Sequence, residues 1–430
     1  MATTIALVIF GTLGTALLLG IPIGYALGMA TVAGLVLSPI PMVYLAQTFY
    51  TGAGLFPLIA IPGFILAGEL MIRSGITDKI VRVMNILVGR MPGGLGIATM
   101  LACAFFASLS GSGPATTAAI GSVMIPAMIK AGYPPAAAAA LAATGGTLGI
   151  LIPPSNPMII YGVIANLSVS GLFLSGVLPG LIITAVLAGY CYFMGRIYGY
   201  RVTDGEQFSF RLFGSAIWDG KWALLMPVLV LGSIYTGMAT PTESSMLAVV
   251  YTFISGVCSR RLSLRMVAQC IVATAGLTGA VLIIMGPAMA FGRLLVMYEI
   301  PVLFANAFLQ LTTNPTFVLF LICALLSIVG MFMETLSTIV LLTPIFLPLL
   351  LSLGVGAVHF GILFVVMSEV GFLTPPLGVN LFVASALTGM SIEKISKAAI
   401  PLIIIMCALV IFLILVPWIS TCGYYFFMSR

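Results

Sequence analysis

Charge is nearly missing from this chain. Only 6% of its 430 residues are Asp, Glu, Lys or Arg, while 61% are hydrophobic. A soluble domain carries about a quarter charged residues and needs a hydrated shell. A soluble globular class is therefore excluded, and the lipid bilayer is the expected solvent. Histidine is reduced to His359 alone, and the seven cysteines stand singly at Cys103, Cys191, Cys258, Cys270, Cys323, Cys407 and Cys422. With no C-x-x-C pair, neither a disulfide framework nor a cysteine–histidine metal site is supported. The cysteines read as small apolar packing residues. No Gly-x-x-x-x-Gly-Lys phosphate loop and no Gly-x-Ser-x-Gly nucleophile motif occurs, so neither ATP hydrolysis nor enzymatic catalysis is expected. The first residues lack the basic start of a removable signal peptide.

What charge there is has a pattern. The formal net charge is +6, and the basic residues gather in Arg73–Arg90, Arg196–Lys221, Arg260–Arg265 and Lys394–Lys397. Short basic segments between apolar spans mark cytoplasmic loops, so a nucleic-acid partner is not expected. The apolar run from Ala2 past Ile40 is too long for one crossing, which takes about 20 residues. Gly20, Pro22 and Gly24 supply its break.

The two halves of the chain carry matching punctuation. Gly149–Pro154 and Gly371–Pro376 are both Gly-x-x-x-Pro-Pro, 222 residues apart, and the same offset takes Pro126 to Pro348 and Ser112 to Glu334. Gly68-Glu69-Leu70 meets Gly292-Arg293-Leu294 at an offset of 224. The fold class expected is an all-α polytopic membrane protein built as an inverted repeat of two five-crossing halves. Residues 1–212 would supply scaffold spans over 3–72 (3–20, 22–38 and 54–72), an interfacial arm over 73–92, a re-entrant hairpin over 95–130, a broken helix over 136–165 and a span over 172–195. Residues 213–430 would repeat this with spans over 222–286 (222–236, 243–259 and 267–286), an arm over 287–303, a hairpin over 315–351, a broken helix over 357–388 and a span over 398–418. In the first arm Ile76, Ile80, Val83 and Leu87 lie at helical spacing opposite Lys79, Arg82 and Arg90, as in a helix lying flat in the interface. Five crossings per half put the N-terminus outside and 14 of the 16 Lys and Arg residues inside, leaving Arg293 and Arg430 outside. Twelve or more ordinary spans is the alternative topology.

Four polar breaks interrupt the apolar runs: Ser110–Thr117 with Gly145–Asn156, and Gly330–Ser337 with Gly371–Asn380. Non-helical backbone is tolerated at membrane depth only where it is buried in protein or lines a cavity. Broken helices there offer N-terminal dipoles to a carboxylate, and free carbonyls and hydroxyls to a small hard cation. Ser108, Ser110, Ser112, Thr116 and Thr117 should face Thr144, Thr147, Ser155 and Asn156, while Glu334, Thr335, Ser337 and Thr338 should face Glu369, Thr374 and Asn380. Thr116, Ser155, Asn156, Ser337 and Asn380 are the candidates for substrate. Small hydroxyl residues also serve close helix packing, so any one of them alone is ambiguous. Glu334 and Glu369 either join a cation site or pair with backbone N–H groups. Glu243 reads as a helix cap, His359 as an interfacial residue, and Arg293 as an interfacial anchor or a guide for an anion.

Three segments carry a family resemblance: Ser110–Gly121 (SGSGPATTAAIG), Gly145–Pro157 (GGTLGILIPPSNP) and Gly371–Asn380 (GFLTPPLGVN). They resemble the large membrane subunit of the tripartite ATP-independent periplasmic (TRAP) transporters, and the resemblance extends over essentially the whole chain. It implies an elevator-type carrier of the ion-transporter superfamily in the bacterial inner membrane. Such a carrier works with a small four-helix membrane subunit and a periplasmic substrate-binding protein, and the small subunit is expected here as a separate chain. The resemblance further implies Na⁺-driven uptake of organic acids such as C4-dicarboxylates or sialic acid, with Na⁺ as coupling ion and no other cofactor. The family's two Na⁺ sites would fall on Ser110, Ser112, Thr147 and Pro153, and on Thr335, Gly371 and Thr374. The rival readings are a stand-alone dicarboxylate or citrate carrier and a membrane scaffold or receptor.

Overall fold

The structure is a computed structural model that describes residues 2–75, 77–200, 209–303, 314–376 and 378–429. Ile76 of the first arm, Arg201 of the second basic segment, Leu377 of the last break and Arg430 lie outside the described residues. Every regular element among the described residues is helical. In chain order these are α1 (Ala2–Leu18), α2 (Ile23–Val36), α3 (Val43–Ala53), α4 (Ala60–Arg73), α5 (Thr77–Val88), α6 (Gly94–Ser110), α7 (Gly113–Lys130), α8 (Pro135–Leu151), α9 (Asn156–Ile164) and α10 (Val169–Tyr198). The chain continues with α11 (Phe210–Tyr235), α12 (Pro241–Cys258), α13 (Leu264–Met297), α14 (Pro315–Gly330), α15 (Thr335–Ser352), α16 (Ala357–Phe372), α17 (Val379–Thr388), α18 (Ile392–Leu415) and α19 (Trp418–Met428). A short 3₁₀ turn, Phe56–Ile59, leads into α4.

Local sequence explains most of these ends. The Ser112, Ser155, Ser168, Thr240, Ser263 and Asn314 side chains each accept a backbone N–H at a helix start, which satisfies donors that would otherwise be orphaned. Gly111 takes a left-handed φ of 58° to end α6, a conformation that a side chain would resist.

Burial decides which helices are central. Every residue of α8 from Ala138 to Leu151 is buried, and so is every residue of α16 from Val358 to Phe372. These are the helices that run into the two Pro-Pro breaks. Around them the halves interlock crosswise: α17 packs on α7 and α8, while α15 packs on α9. Outer helices such as α13 leave large apolar side chains exposed, among them Ile271, Val272 and Ile283, as lipid requires.

Several expectations need correction. α3 and α19 were not foreseen. The second arm, over 287–303, is no separate element: α13 runs through Pro287 to Met297. Proline removes one hydrogen bond and bends a helix, but Ala288, Ala290, Phe291, Gly292, Leu294 and Leu295 beyond it are all buried, and that packing holds the helix together. α11 begins at Phe210, ahead of the expected 222. His359 is not interfacial. It is 3% exposed, with Nδ1 2.6 Å from Ser420 Oγ, because α16 is covered on every side.

Ten crossings were expected. By length and apolarity, six helices among the described residues could each cross a membrane, and the pair α8–α9, bent by 40° at its break, makes a seventh. α15, assigned to a re-entrant arm, is among the six, whereas α1 and α2 are shorter apolar helices.

Candidate functional site

The site begins at the turn between α6 and α7. Thr116 Oγ1 donates to the Ser112 carbonyl at 2.8 Å, and Ser110 Oγ lies 2.9 Å from Thr116 Oγ1. The Ser112 backbone N–H in turn reaches Ser110 Oγ at 3.4 Å. Two hydroxyls thus brace a turn of small residues. Small residues on α8 let this turn sit close. A β-carbon on Gly149 would stand 2.6 Å from both the Ser112 carbonyl oxygen and Thr116 Oγ1, and one on Gly146 would collide with Thr117 Oγ1. Gly111 closes on the other side, against the Pro154 carbonyl and the Asn156 backbone nitrogen.

The α8–α9 break carries Pro153, joined to Pro154 by a cis bond, and Ser155, whose hydroxyl accepts from the Met158 N–H at 3.4 Å. Thr147 donates to the Thr144 carbonyl at 2.7 Å. Thr374 does the same to Val370 at 2.8 Å, and Thr338 to Glu334 at 2.9 Å. A hydroxyl whose proton is committed to a backbone carbonyl keeps its oxygen lone pairs free, which suits a cation better than an anion.

The second half repeats the close approach. A β-carbon on Gly371 would fall 2.6–2.8 Å from the Gly330 backbone. Pro375–Pro376 is also cis, and Gly378 adopts a φ of 47° ahead of α17. Thr335 and Ser337 are buried in the first turn of α15. Glu369 and Asn380 are joined through Asn380 Nδ2, which donates to Glu369 Oε2 at 3.2 Å.

Between the two sets of breaks lies a cavity of about 330 Å³. Ser112–Pro114, Asn156–Pro157, Glu334–Leu336 and Val379 line it. These are the starts of α7, α9, α15 and α17. Four helix N-termini therefore share one cavity, and each brings a partial positive charge and N–H donors. Buried oxygen acceptors without a partner among the described residues include Asn156 Oδ1, Thr117 Oγ1, Thr144 Oγ1 and Thr335 Oγ1.

Of the residues singled out from sequence, Ser112, Asn156, Glu334 and Thr335 line this cavity. Ser110, Thr116 and Thr147 stand behind them in the bracing of the turn and α8, and Pro153 and Ser155 form the first break. Ser337, Gly371 and Thr374 belong to the second set of breaks. Asn380 and Glu369, expected to face Glu334 and Thr335, meet the first half: both lie 3.2 Å from the β-carbon position of Gly113. Sequence gave no signal for that contact, because it depends on how α17 lies across α7. The close-packing role of Gly146 was also missed, although its place in a Gly-Gly-Thr run one turn before the Pro-Pro break could have suggested it.

Helices throughout the described residues, apolar outer faces and a cavity where helix N-termini meet define a multi-pass membrane transporter. The family model described as "Tripartite ATP-independent periplasmic transporter, DctM component" matches residues 10–419, and the chain belongs to that family. The family is one of transporter permeases for substrate uptake. Among its relatives, the C4-dicarboxylate TRAP transporter large permease protein DctM of Rhodobacter capsulatus is 37% identical over 96% of this chain and 98% of that protein. The isethionate TRAP transporter permease protein DctMQ of Oleidesulfovibrio alaskensis is 43% identical over 95% of this chain, which spans 65% of that longer protein. The sialic acid TRAP transporter large permease protein SiaM of Vibrio cholerae is 33% identical over 92% of each. Among solved structures, the Alcanivorax borkumensis YdaH transporter, described as having an unusual topology, aligns with a TM-score of 0.61 at 17% identity over 87% of each chain. That likeness concerns the fold alone.

Proposed function

We propose that this chain is the large transmembrane subunit of a Na⁺-coupled secondary transporter that imports organic acids delivered by a periplasmic binding protein. The observation that carries this reading is the convergence of four helix N-termini on one cavity. Such a place favours a carboxylate or sulfonate without needing a buried Arg or Lys. Isethionate, C4-dicarboxylate and sialic acid, named for the relatives, share an acidic head group that this cavity would suit.

The coupling ion would sit behind the cavity. Ser110, Ser112, Thr147 and Pro153 form one cluster of hydroxyl and carbonyl oxygens, and Thr335, Gly371 and Thr374 form the other. Oxygen donors without thiolate or imidazole fit a hard cation, and Na⁺ is cargo here rather than a resident cofactor. Thr116, Ser155, Asn156, Ser337 and Asn380 would act on substrate, directly or by holding the helix ends that bind it. No enzymatic step is involved.

The two halves act as an inverted repeat in the bacterial inner membrane, with the N-terminus on the periplasmic side. The paired Gly-x-x-x-Pro-Pro breaks and the crosswise packing of α15 on α9 and α17 on α7 support that symmetry. In an elevator cycle α6–α10 and α14–α18 move as one body against α1–α4 and α11–α13. A small four-helix membrane subunit would steady the static part, with the binding protein docking outside.

Reconstitution with both partners into proteoliposomes tests this. Uptake of an organic acid should require an inward Na⁺ gradient and should fall to background when the binding protein is left out. Uptake that persists without a Na⁺ gradient would remove the coupling, and uptake without the binding protein would make the chain a stand-alone carrier.

A further inference from the structure

Glu369 is a carboxylate in the interior, 1% exposed. Among the described residues its one hydrogen bond comes from Asn380 Nδ2 to Oε2. Glu369 Oε1 and Asn380 Oδ1 are left as buried acceptors without a donor. The ion pairs among the described residues lie elsewhere, at Arg73–Glu69 and Arg82–Asp219. An isolated buried carboxylate is costly, and two orphaned acceptors beside each other compound that cost.

These oxygens also converge. Glu369 Oε1, Glu369 Oε2 and Asn380 Oδ1 each lie 3.2 Å from the point where a β-carbon of Gly113 would stand. Glycine leaves that point open, and any other residue would press on all three. The start of α7 offers the carboxylate about half a positive charge. That leaves the charge incompletely balanced and does nothing for Asn380 Oδ1, an acceptor that needs a positive partner. An all-oxygen cluster carrying one formal negative charge is the chemistry of a hard monovalent cation.

We propose that Glu369 and Asn380, closing on Gly113, hold an alkali cation at the junction between the first half's α6–α7 turn and the second half's broken helix. The site is additional to the two oxygen clusters described above and rests on the reading of the chain as a cation-coupled carrier. Its ion seats the N-terminus of α7 against α16 and α17, so the two halves meet properly only when the cation is present. The step balances as an exchange: the cation takes the place of the proton that a buried, unpaired carboxyl otherwise holds, and that proton leaves to water.

Equilibrium binding of radioactive Na⁺ to the full chain in lipid nanodiscs, without substrate, tests this. Glu369→Gln should bind one ion fewer per chain than the parent. Gly113→Ala should weaken the same class of sites at least ten-fold. A structure of the parent protein soaked in Tl⁺ should show a peak between Glu369 Oε1 and Asn380 Oδ1. An unchanged ion count in Glu369→Gln overturns the site while leaving Na⁺ coupling intact. Absence of any Na⁺ binding by the parent overturns both readings. Should Glu369→Gln not fold, the Tl⁺ map decides: peaks at the other clusters with none beside Gly113 overturn the proposal.

Discussion

Ser110 Oγ and Thr116 Oγ1 stand 2.9 Å apart across the turn between α6 and α7, and Thr116 passes the contact on to the Ser112 carbonyl. The pair is buried, and loss of either hydroxyl breaks the bond between them, although Thr116 keeps the Ser112 carbonyl and Ser110 keeps the Ser112 N–H. Thr116→Val keeps the shape and removes the bond. Losing a buried hydrogen bond costs about 1–1.5 kcal/mol, and 1.4 kcal/mol is a factor of ten. Half-saturation for Na⁺ in uptake should therefore rise roughly ten-fold. Ser110→Ala should do the same, and the double variant should be less than additive, since both lose the bond they share. Additive losses would mean that the hydroxyls act separately.

Gly149 makes a sharper test. A β-carbon there would stand 2.6 Å from the Ser112 carbonyl oxygen and from Thr116 Oγ1, and neither the α8 backbone nor the braced turn can yield cheaply. Gly149→Ala should abolish Na⁺-driven uptake while the protein still reaches the membrane. Gly189→Ala on α10, where nothing lies within 4 Å, should transport normally. Equal activity of the two variants, measured as initial rates at matched protein, would rule out the close approach.

The breaks were legible because glycine and proline punctuate an otherwise apolar chain. The α6 end at Ser110, the α7 start at Gly113 and the interruption at Pro153–Pro154 all fall within a residue or two of where the sequence puts them. Pro287 misled for the same reason, since a proline followed by well-buried turns bends a helix without ending it. α19 was not legible because Trp418–Met428 mixes aromatic and small residues without the uniform apolarity of a span. The meeting of Glu369 with Gly113 depends on residues 256 positions apart finding each other through packing, and nothing local encodes that.

Helix α5 is held to α11 by polar contacts, which include Lys79 Nζ donating to the Asp219 carbonyl at 2.8 Å, and by apolar packing, and the two kinds should differ in strength. Arg82 pairs with Asp219 at 3.5 Å with both side chains about half exposed. Exposed pairs of this kind contribute less than about 1 kcal/mol. Below it, Val83 and Ile86 pack with Ala216 in a small buried cluster. Arg82→Ala should leave the thermal midpoint nearly unchanged, whereas Ile86→Ala should destabilise by about 2 kcal/mol, the low end for a buried truncation. Melting curves in one detergent would compare them, and the reverse order would assign the attachment to charge.

Glu243 gives a pH dependence whose sign can be worked out. Its Oε2 accepts the Thr240 backbone N–H at 2.8 Å and the Thr240 hydroxyl at 2.9 Å, and the Glu243 N–H returns a bond to that hydroxyl at 3.3 Å. The reciprocal pair is a capping box at the start of α12. The Thr240 N–H, followed by the hydroxyl, holds the Glu243 carboxyl below its usual range. A lowered folded pKa means that the stabilisation is complete above the unfolded value, about 4.3, and is lost as pH falls through the folded one. Glu243→Gln keeps the shape but never carries the charge. It should therefore melt below the parent at pH 7, and the two curves should draw together as pH drops below about 4. A gap that stays constant through that range would mean that the carboxylate charge contributes nothing to the cap.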